Sequence, residues 1–238
     1  KELGRSEAAN EILLPLSKEY LYYGLLAAEE IGAPALSLPA PETKAPAEEM
    51  KTVERKSDIQ RALALHRLGM DTEGTKEWIV AVKSLNDGQL LAASELARKA
   101  NWPERSINTS DKTQTVHDFS LRYPTPFETN MRDYSKKHGV DEAWVFGLVR
   151  QESRFMADVR SRAGAMGLMQ IMPATGTWLA KKAGLKNFQT SSTIQPEMNI
   201  SLGTYYLKYL IEELAHPVLA TAAYNAGPSR AKRWRRRG

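Results

Sequence analysis

The sequence contains no cysteine, which excludes disulfides and thiolate metal centres. This leaves the compartment open, since many periplasmic proteins also carry none. Histidine is scarce: His66, His117, His138 and His216 stand apart, with no pair at i, i+4. That spacing gives no reason to place a metal site, and nothing in the chain calls for a cofactor. No apolar run approaches the length needed to span a bilayer, so no transmembrane segment is expected. The opening Lys1-Glu2-Leu3-Gly4-Arg5 lacks the apolar stretch of a signal peptide. The helical pattern there starts in mid-course, which fits a leader already removed. Strand-like alternation is almost missing too, apart from a short candidate piece at residues 168–172.

What is present is the composition of a globular protein. Its 238 residues, 42% hydrophobic and 26% charged, suffice for a buried core in one or two domains. The net charge of +5 suits an acidic partner such as a cell-wall polymer, a membrane surface or nucleic acid. Much of the excess sits at one end, where Arg230, Lys232, Arg233, Arg235, Arg236 and Arg237 crowd around Trp234. Such a run reads first as a solvated helix end and second as an anion-binding tail. A nucleic-acid binder would spread its basic residues over a folded face, so the clustering argues against one.

The first half reads as helix after helix. Residues 7–14 and 20–31 form a pair separated by Pro15. In the second, Leu21, Leu25 and Ala28 fall at helical spacing and Gly32 is placed as a stop. Tyr20, Tyr22 and Tyr23 read as helix-packing aromatics, with a groove lining as the alternative. Pro34, Pro39, Pro41 and Pro46 mark a linker. Helical patterns resume near Glu48, with Ile59, Leu63, Leu65 and Leu68 as one apolar run and Trp78, Val82 and Leu85 on another helix. Asn86-Asp87-Gly88 reads as a turn, followed by helix over residues 90–100. Short antiparallel helices with brief turns point to an α-solenoid or bundle, without a fixed repeat period. Residues 101–127 read as a hinge. Asn101-Trp102-Pro103 ends a helix and polar residues fill 106–115. Tyr123-Pro124-Thr125-Pro126-Phe127 is extended, because residues before proline avoid the α region. A new helical unit starts near Asn130.

That unit carries the chemistry. Asp141 is placed as the N-cap of a helix whose apolar residues are Trp144, Val145, Leu148 and Val149. Glu152 lies three, four and seven residues from Val149, Leu148 and Val145, and so shares their face. Burial and the negative end of the helix dipole both disfavour its charged form. A general acid working near neutral pH needs such a carboxyl. The competing reading is a solvated glutamate, or one paired with Arg150 or Arg154. Downstream, Gly164 and Gly167 allow tight turns, Pro173 suits the start of a helix, and Gln170 is a polar residue among Met169, Ile171 and Met172. A sugar amide or hydroxyl would satisfy that glutamine; so would nearby backbone. Ala223-Tyr224-Asn225-Ala226-Gly227 ends a helix at its glycine and offers a ring, a hydroxyl and an amide. The segment around Asn199, Ile200, Leu202 and Gly203 reads as core, with Gly203 permitting close packing.

Three pieces fall in order: Arg150-Gln151-Glu152-Ser153, Gly167-Leu168-Met169-Gln170-Ile171-Met172-Pro173 and the Ala-Tyr-Asn-Ala-Gly end. With Ser161 and the Asn-Ile-x-Leu-Gly-x-x-Tyr-Leu helix, they make residues 127–234 resemble the catalytic domain of soluble lytic transglycosylases, in the lysozyme superfamily. The helical N-terminal half resembles the α-superhelix and linker of the large members, with Tyr22-Tyr23-Gly24-Leu25-Leu26-Ala27-Ala28-Glu29-Glu30 as its best local match. The resemblance implies an all-α chain: superhelical and linker helices, then a lysozyme-like, mainly α catalytic domain. The expected division is 1–45, 46–122 and 123–238. It further implies Glu152 as sole catalytic carboxylate, with Ser161, Met169, Gln170, Met172, Tyr224 and Asn225 binding substrate and no metal or cofactor. The implied partners are peptidoglycan glycan strands and, beyond them, other cell-wall enzymes; the implied location is the periplasm. Glycosidases ordinarily use two carboxylates. Between Glu152 and Pro173 the only other acid is Asp158, read as solvated.

Family members continue past the Ala-Tyr-Asn-Ala-Gly helix, whereas this chain stops at Gly238, so a fragment or a shortened catalytic domain is expected. Two further readings stand beside the transglycosylase. One is a lysozyme that keeps the acid but uses water. The other is a helical scaffold or peptidoglycan-binding protein with an inactive catalytic domain.

Overall fold

A computed structural model of the chain describes residues 6–20, 22–33 and 43–236. Among these residues every regular element is a helix, as expected for an all-α chain. The strand-like piece at 168–172 is reduced to isolated bridges of Met166 with Arg160 and with Ile171.

Helix α1 (Ser6–Leu16) runs through Pro15 instead of breaking there. A proline one residue from a helix end deprives only one carbonyl, and that of Glu11 lies in an exposed turn. In α2 (Tyr22–Glu30) the buried residues are Gly24, Ala27 and Ala28, while Leu25 and Leu26 face solvent. Leu21, Pro34, Pro39 and Pro41 lie outside the described residues, as do Arg237 and the opening Lys1-Glu2-Leu3-Gly4-Arg5. Tyr20 packs edge-on against His117 and Phe119, but Tyr22 and Tyr23 are exposed and touch each other, so they are not helix-packing aromatics.

Four helices build the next layer: α3 (Ala47–Glu54), α4 (Ser57–Arg67), α5 (Asp71–Ala81) and α6 (Asp87–Lys99). Their core holds Val53, Ile59, Ala62, Trp78, Ala93 and Trp102. Leu68 lies past the end of α4 and is exposed, because the buried stripe runs through Ile59, Ala62 and Leu63. Asn86-Asp87-Gly88 is a helix start and not a free turn. The Asn86 side chain accepts from the Gln89 amide at 2.9 Å, and Asp87 and Gly88 form the first turn of α6.

The expected hinge is packed structure. It contains α7 (Pro103–Ser110) and α8 (Phe119–Arg122), with Arg105, Ser106, Thr109 and Ser110 buried. The polar run misled because these side chains meet polar partners inside the protein. The Trp78 indole donates to Thr109, and Ser110 bonds to the Ile107 carbonyl. Ile107 belongs to the core of the second half, with Met131, Val145, Val149, Leu168, Leu179 and Ile200. Its full burial stabilises that junction by about 1.5–3 kcal/mol.

The second half comprises α9 (Glu128–His138), α10 (Glu142–Ser153), α11 (Pro173–Lys182), α12 (Pro196–Leu214), α13 (Pro217–Ala226) and α14 (Pro228–Arg235). Four of these six begin with proline, whose missing N–H costs nothing in a first turn. Helix α12 is the axis, packing against α9, α11 and α13. The basic end forms α14. Its Ala231 is buried, Lys232 bridges Glu213 at 2.5 Å, and Arg230, Arg233 and Arg236 face solvent.

Candidate active site

Asp141 caps α10 by accepting from the Trp144 amide at 2.8 Å, and Val145, Leu148 and Val149 anchor the helix in the core. The helix stops at two successive left-handed residues, Arg154 at φ 52° and Phe155 at φ 62°. Both are non-glycine, and this conformation costs roughly 1–2 kcal/mol per residue. Glu152 sits half-buried in the last turn, on the apolar face. Burial pushes its carboxyl above the ordinary value. The arginines on either side do not neutralise it: Arg150 donates to Asp111 at 2.8 Å, and the Arg154 Nε donates to Asn108 at 3.2 Å.

The stretch after α10 folds back as two linked turns. The Ser161 hydroxyl accepts from the Ala165 amide at 3.0 Å, and the Ser161 amide donates to the Ala165 carbonyl at 2.9 Å. Met166 and Ile171 exchange backbone hydrogen bonds at 3.0 Å in both directions. Gly167 takes φ +75°, and a Cβ there would also collide with the Asn199 side chain. Gln170 takes φ 45° and donates its amide to the carbonyls of Gly167 at 2.9 Å and Val159 at 3.3 Å. Its carbonyl oxygen has no donor among the described residues and stays open as an acceptor.

Tyr224 closes the site from α13. Its hydroxyl donates to the Met169 carbonyl at 2.8 Å. Its ionisation is pushed well above the ordinary range, first by burial, then by the charges of Glu152 and Tyr206. Glu152 is the one carboxylate whose charge registers on Tyr224 among the described residues. Tyr224 thus links the Met169 backbone to the charge of Glu152. Ser161 is occupied with its own turn. Met172, the N-cap of α11, is exposed, as are Asn225 and Asp158.

Sequence reasoning missed Asn199 as part of this construction. It is fully buried in α12, accepts from the Met169 amide at 2.6 Å, and donates to the carbonyls of Met166 at 2.9 Å and Thr193 at 2.7 Å. One side chain thus holds both limbs of the Gly167–Gln170 turn. The available signal was an asparagine in register with Leu202, Gly203, Leu207 and Leu210 on an otherwise apolar face. Gly203 supplies the expected close approach, since a Cβ there would run into the Met169 side chain. Tyr206 packs against the core of this half, and its ring lies 5.2 Å from that of Tyr224.

Residues 129–238 match the transglycosylase SLT domain, and residues 52–118 match the soluble lytic murein transglycosylase L domain. The soluble lytic murein transglycosylase of Salmonella typhimurium is 29% identical over 98% of this chain and 36% of its own length. Among solved structures, an inactive glutamate-to-glutamine mutant of lytic transglycosylase Slt from Pseudomonas aeruginosa superposes with a TM-score of 0.79. It is 31% identical, over 94% of this chain and 37% of that one. The 70 kDa soluble lytic transglycosylase of Escherichia coli gives a TM-score of 0.76 at 29% identity, over 98% of this chain and 38% of that one. The chain spans a little over a third of the length of these relatives.

Proposed function

We propose that this chain cleaves peptidoglycan as a lytic transglycosylase, as the match of residues 129–238 to the transglycosylase SLT domain and of residues 52–118 to the soluble lytic murein transglycosylase L domain supports. The bond broken is the β-1,4 link from N-acetylmuramic acid to N-acetylglucosamine. Glu152 protonates the glycosidic oxygen as that bond breaks, and the muramyl 2-acetamido group stabilises the developing cation. The ionised Glu152 then takes the proton of the muramyl C6 hydroxyl, whose oxygen attacks C1. The products are a free N-acetylglucosamine end and a 1,6-anhydromuramyl end, and no water is consumed. The observation that carries this reading is a half-buried carboxyl in the last turn of α10, raised above its ordinary value by burial, whose charge is felt by Tyr224.

In this reading Gln170 offers its open carbonyl oxygen to a substrate donor, and Tyr224 fixes the Met169 carbonyl beside the reacting sugar. Met172 and Asn225 contact substrate from the margin, and Ser161 keeps the turn in shape. The relative described as an inactive glutamate-to-glutamine mutant supports a glutamate as the essential group. The chain divides at 1–45, 46–122 and 123–238. It works in the periplasm on glycan strands, alongside other cell-wall enzymes.

The test is mass spectrometry of purified peptidoglycan after incubation with the chain and with Glu152→Gln. Anhydromuropeptides from the parent alone support the reading. Reducing-end products, heavier by one water, would make the chain a lysozyme. No products from either protein would favour a binding module.

A further inference from the structure

Between α7 and α8 the chain buries an imidazole against a guanidinium, those of His117 and Arg122. The Arg122 Nη2 lies 3.2 Å from the His117 Nδ1, and donates to the Ser110 carbonyl and the Thr113 hydroxyl, each at 3.0 Å. The Thr113 hydroxyl is itself 3.0 Å from the same Nδ1. A guanidinium only donates, so Nδ1 meets Arg122 as an acceptor and the imidazole proton sits on Nε2. A second proton, on Nδ1, would set one N–H against another and one positive charge against another.

Burial and the Arg122 charge on α8 push the imidazole below its ordinary value, while Asp87 at the start of α6 and the Gln114 backbone act the other way. The Asp87 carboxylate is largely spent on the amides of Gln114, Thr115 and Val116. Asp118, next in the chain, is taken up as the cap of α8. Tyr20, from the turn between α1 and α2, sets its ring 5.3 Å from the imidazole.

Arg122 connects this imidazole to the helix that carries the acid. Its Nε is 3.4 Å from an Asp111 oxygen, and its carbonyl accepts from the Arg150 Nε at 2.9 Å. Arg150 donates to both oxygens of the same Asp111 at 2.8 Å, and its guanidinium lies 4.9 Å from the ring centroid of Tyr123, the residue after Arg122. Glu152 follows Arg150 by two residues on α10.

We propose that His117 is a positioning residue for Glu152: as a neutral acceptor it seats Arg122, and through Arg122, Asp111 and Arg150 it fixes α10, so that protonating the imidazole loosens the helix of the acid. The proposal rests on the reading of Glu152 above. The two groups limit turnover from opposite sides. Glu152 must be protonated to act, so its limb falls as pH rises. The His117 limb falls as pH drops through the lowered histidine value.

The experiment follows release of anhydromuropeptides from purified peptidoglycan across pH 4 to pH 8, for the parent and for His117→Asn, which keeps an acceptor oxygen and cannot be protonated. The ratio of variant to parent cancels the Glu152 limb that both share. That ratio in kcat is expected near one at neutral pH and to rise by roughly two- to thirtyfold on acidification, with the ratio in KM steady. In the parent, nitrogen-15 NMR is expected to show His117 as the Nε2–H tautomer at neutral pH. The Arg150 Nε–H should lose exchange protection with the midpoint at which His117 titrates. A flat kcat ratio overturns the role of His117 alone. An Nδ1–H tautomer, or an Arg150 midpoint unrelated to that of His117, overturns it whether or not the variant folds. No anhydromuropeptides from the parent at any pH would overturn the reading of Glu152 and the proposal with it.

Discussion

Arg150, two residues ahead of Glu152, is tied to the other half of the molecule. Its Nη2 donates to both carboxylate oxygens of Asp111 at 2.8 Å, and its Nε donates to the Arg122 carbonyl at 2.9 Å. Arg154 repeats the attachment through Asn108. Side chains two apart on a helix diverge by about 200°. The face of α10 opposite Glu152 is thereby fixed to α7 and its C-cap Asp111.

Removing Asp111 should loosen that attachment. Asp111→Ala strands a partly buried guanidinium and is expected to cost about 1–3 kcal/mol. Turnover should fall more than substrate affinity, because the acid moves while most binding contacts stay. Asp111→Glu should recover part of both. Urea denaturation and steady-state kinetics on peptidoglycan check this; an unchanged midpoint with unchanged kcat would mean the attachment is idle.

Glu152→Gln should lower transglycosylation by about 10²–10⁴-fold, the usual share of a general acid. The variant also carries a stability signature. A carboxyl held above its ordinary value binds its proton more tightly in the folded chain than in the unfolded one. Its contribution to stability is full below the unfolded value and is lost as pH rises through the folded one. Glu152→Gln has no such loss, so it should gain on the parent as pH climbs out of the carboxyl range. Denaturation midpoints of the two proteins at pH 4 and pH 7 report the change. A constant difference would contradict a buried, proton-retaining Glu152.

The motifs made this much readable because local chemistry determines them. The Asp141 cap, the apolar register of Val145, Leu148 and Glu152, and the glycine end at Gly227 are short-range features that tertiary contacts left intact. What stayed hidden was long-range. Ser110 and Thr113 in the polar run are buried, and Arg122 bonds to both from inside, a contact no local pattern announces. Asn199 reaches 30 residues back to Met169. The exposure of Tyr22 and Tyr23 depends on what lies around α2, not on their own periodicity.

Asp87 gives a test of opposite sign in the first half. Burial alone would raise its carboxyl, but hydrogen bonds from Thr115, Val116 and Gln114 outweigh this and hold it at about 2. Its stabilisation is therefore present above the unfolded carboxylate value and is lost as pH falls toward 2. Asp87→Asn should cost about 1–2 kcal/mol at neutral pH, with the penalty shrinking on acidification. Hydrogen exchange at Thr115 and Val116 locates the effect. Protection of those amides unaltered by the substitution would show that the loop is held by something else.

Met169 is gripped from both ends, its amide by Asn199 and its carbonyl by Tyr224. Two side chains that fix one residue should not act independently. Tyr224→Phe removes a single hydrogen bond and should cost only about 0.5–1.5 kcal/mol in stability. Its effect on turnover should be larger, because the lost bond is made by the hydroxyl that feels the charge of Glu152. Asn199→Ala leaves the buried Met166 and Thr193 carbonyls and the Met169 amide without their partner, and should cost about 2–4 kcal/mol. Once the turn has lost Asn199, little order remains for Tyr224 to protect. The double variant should therefore fall short of the summed activation free-energy losses by about 0.5 kcal/mol or more. A cycle measured as kcat/KM on peptidoglycan reads this directly. Strict additivity would mean that Tyr224 contributes through the substrate and not through the Met169 turn.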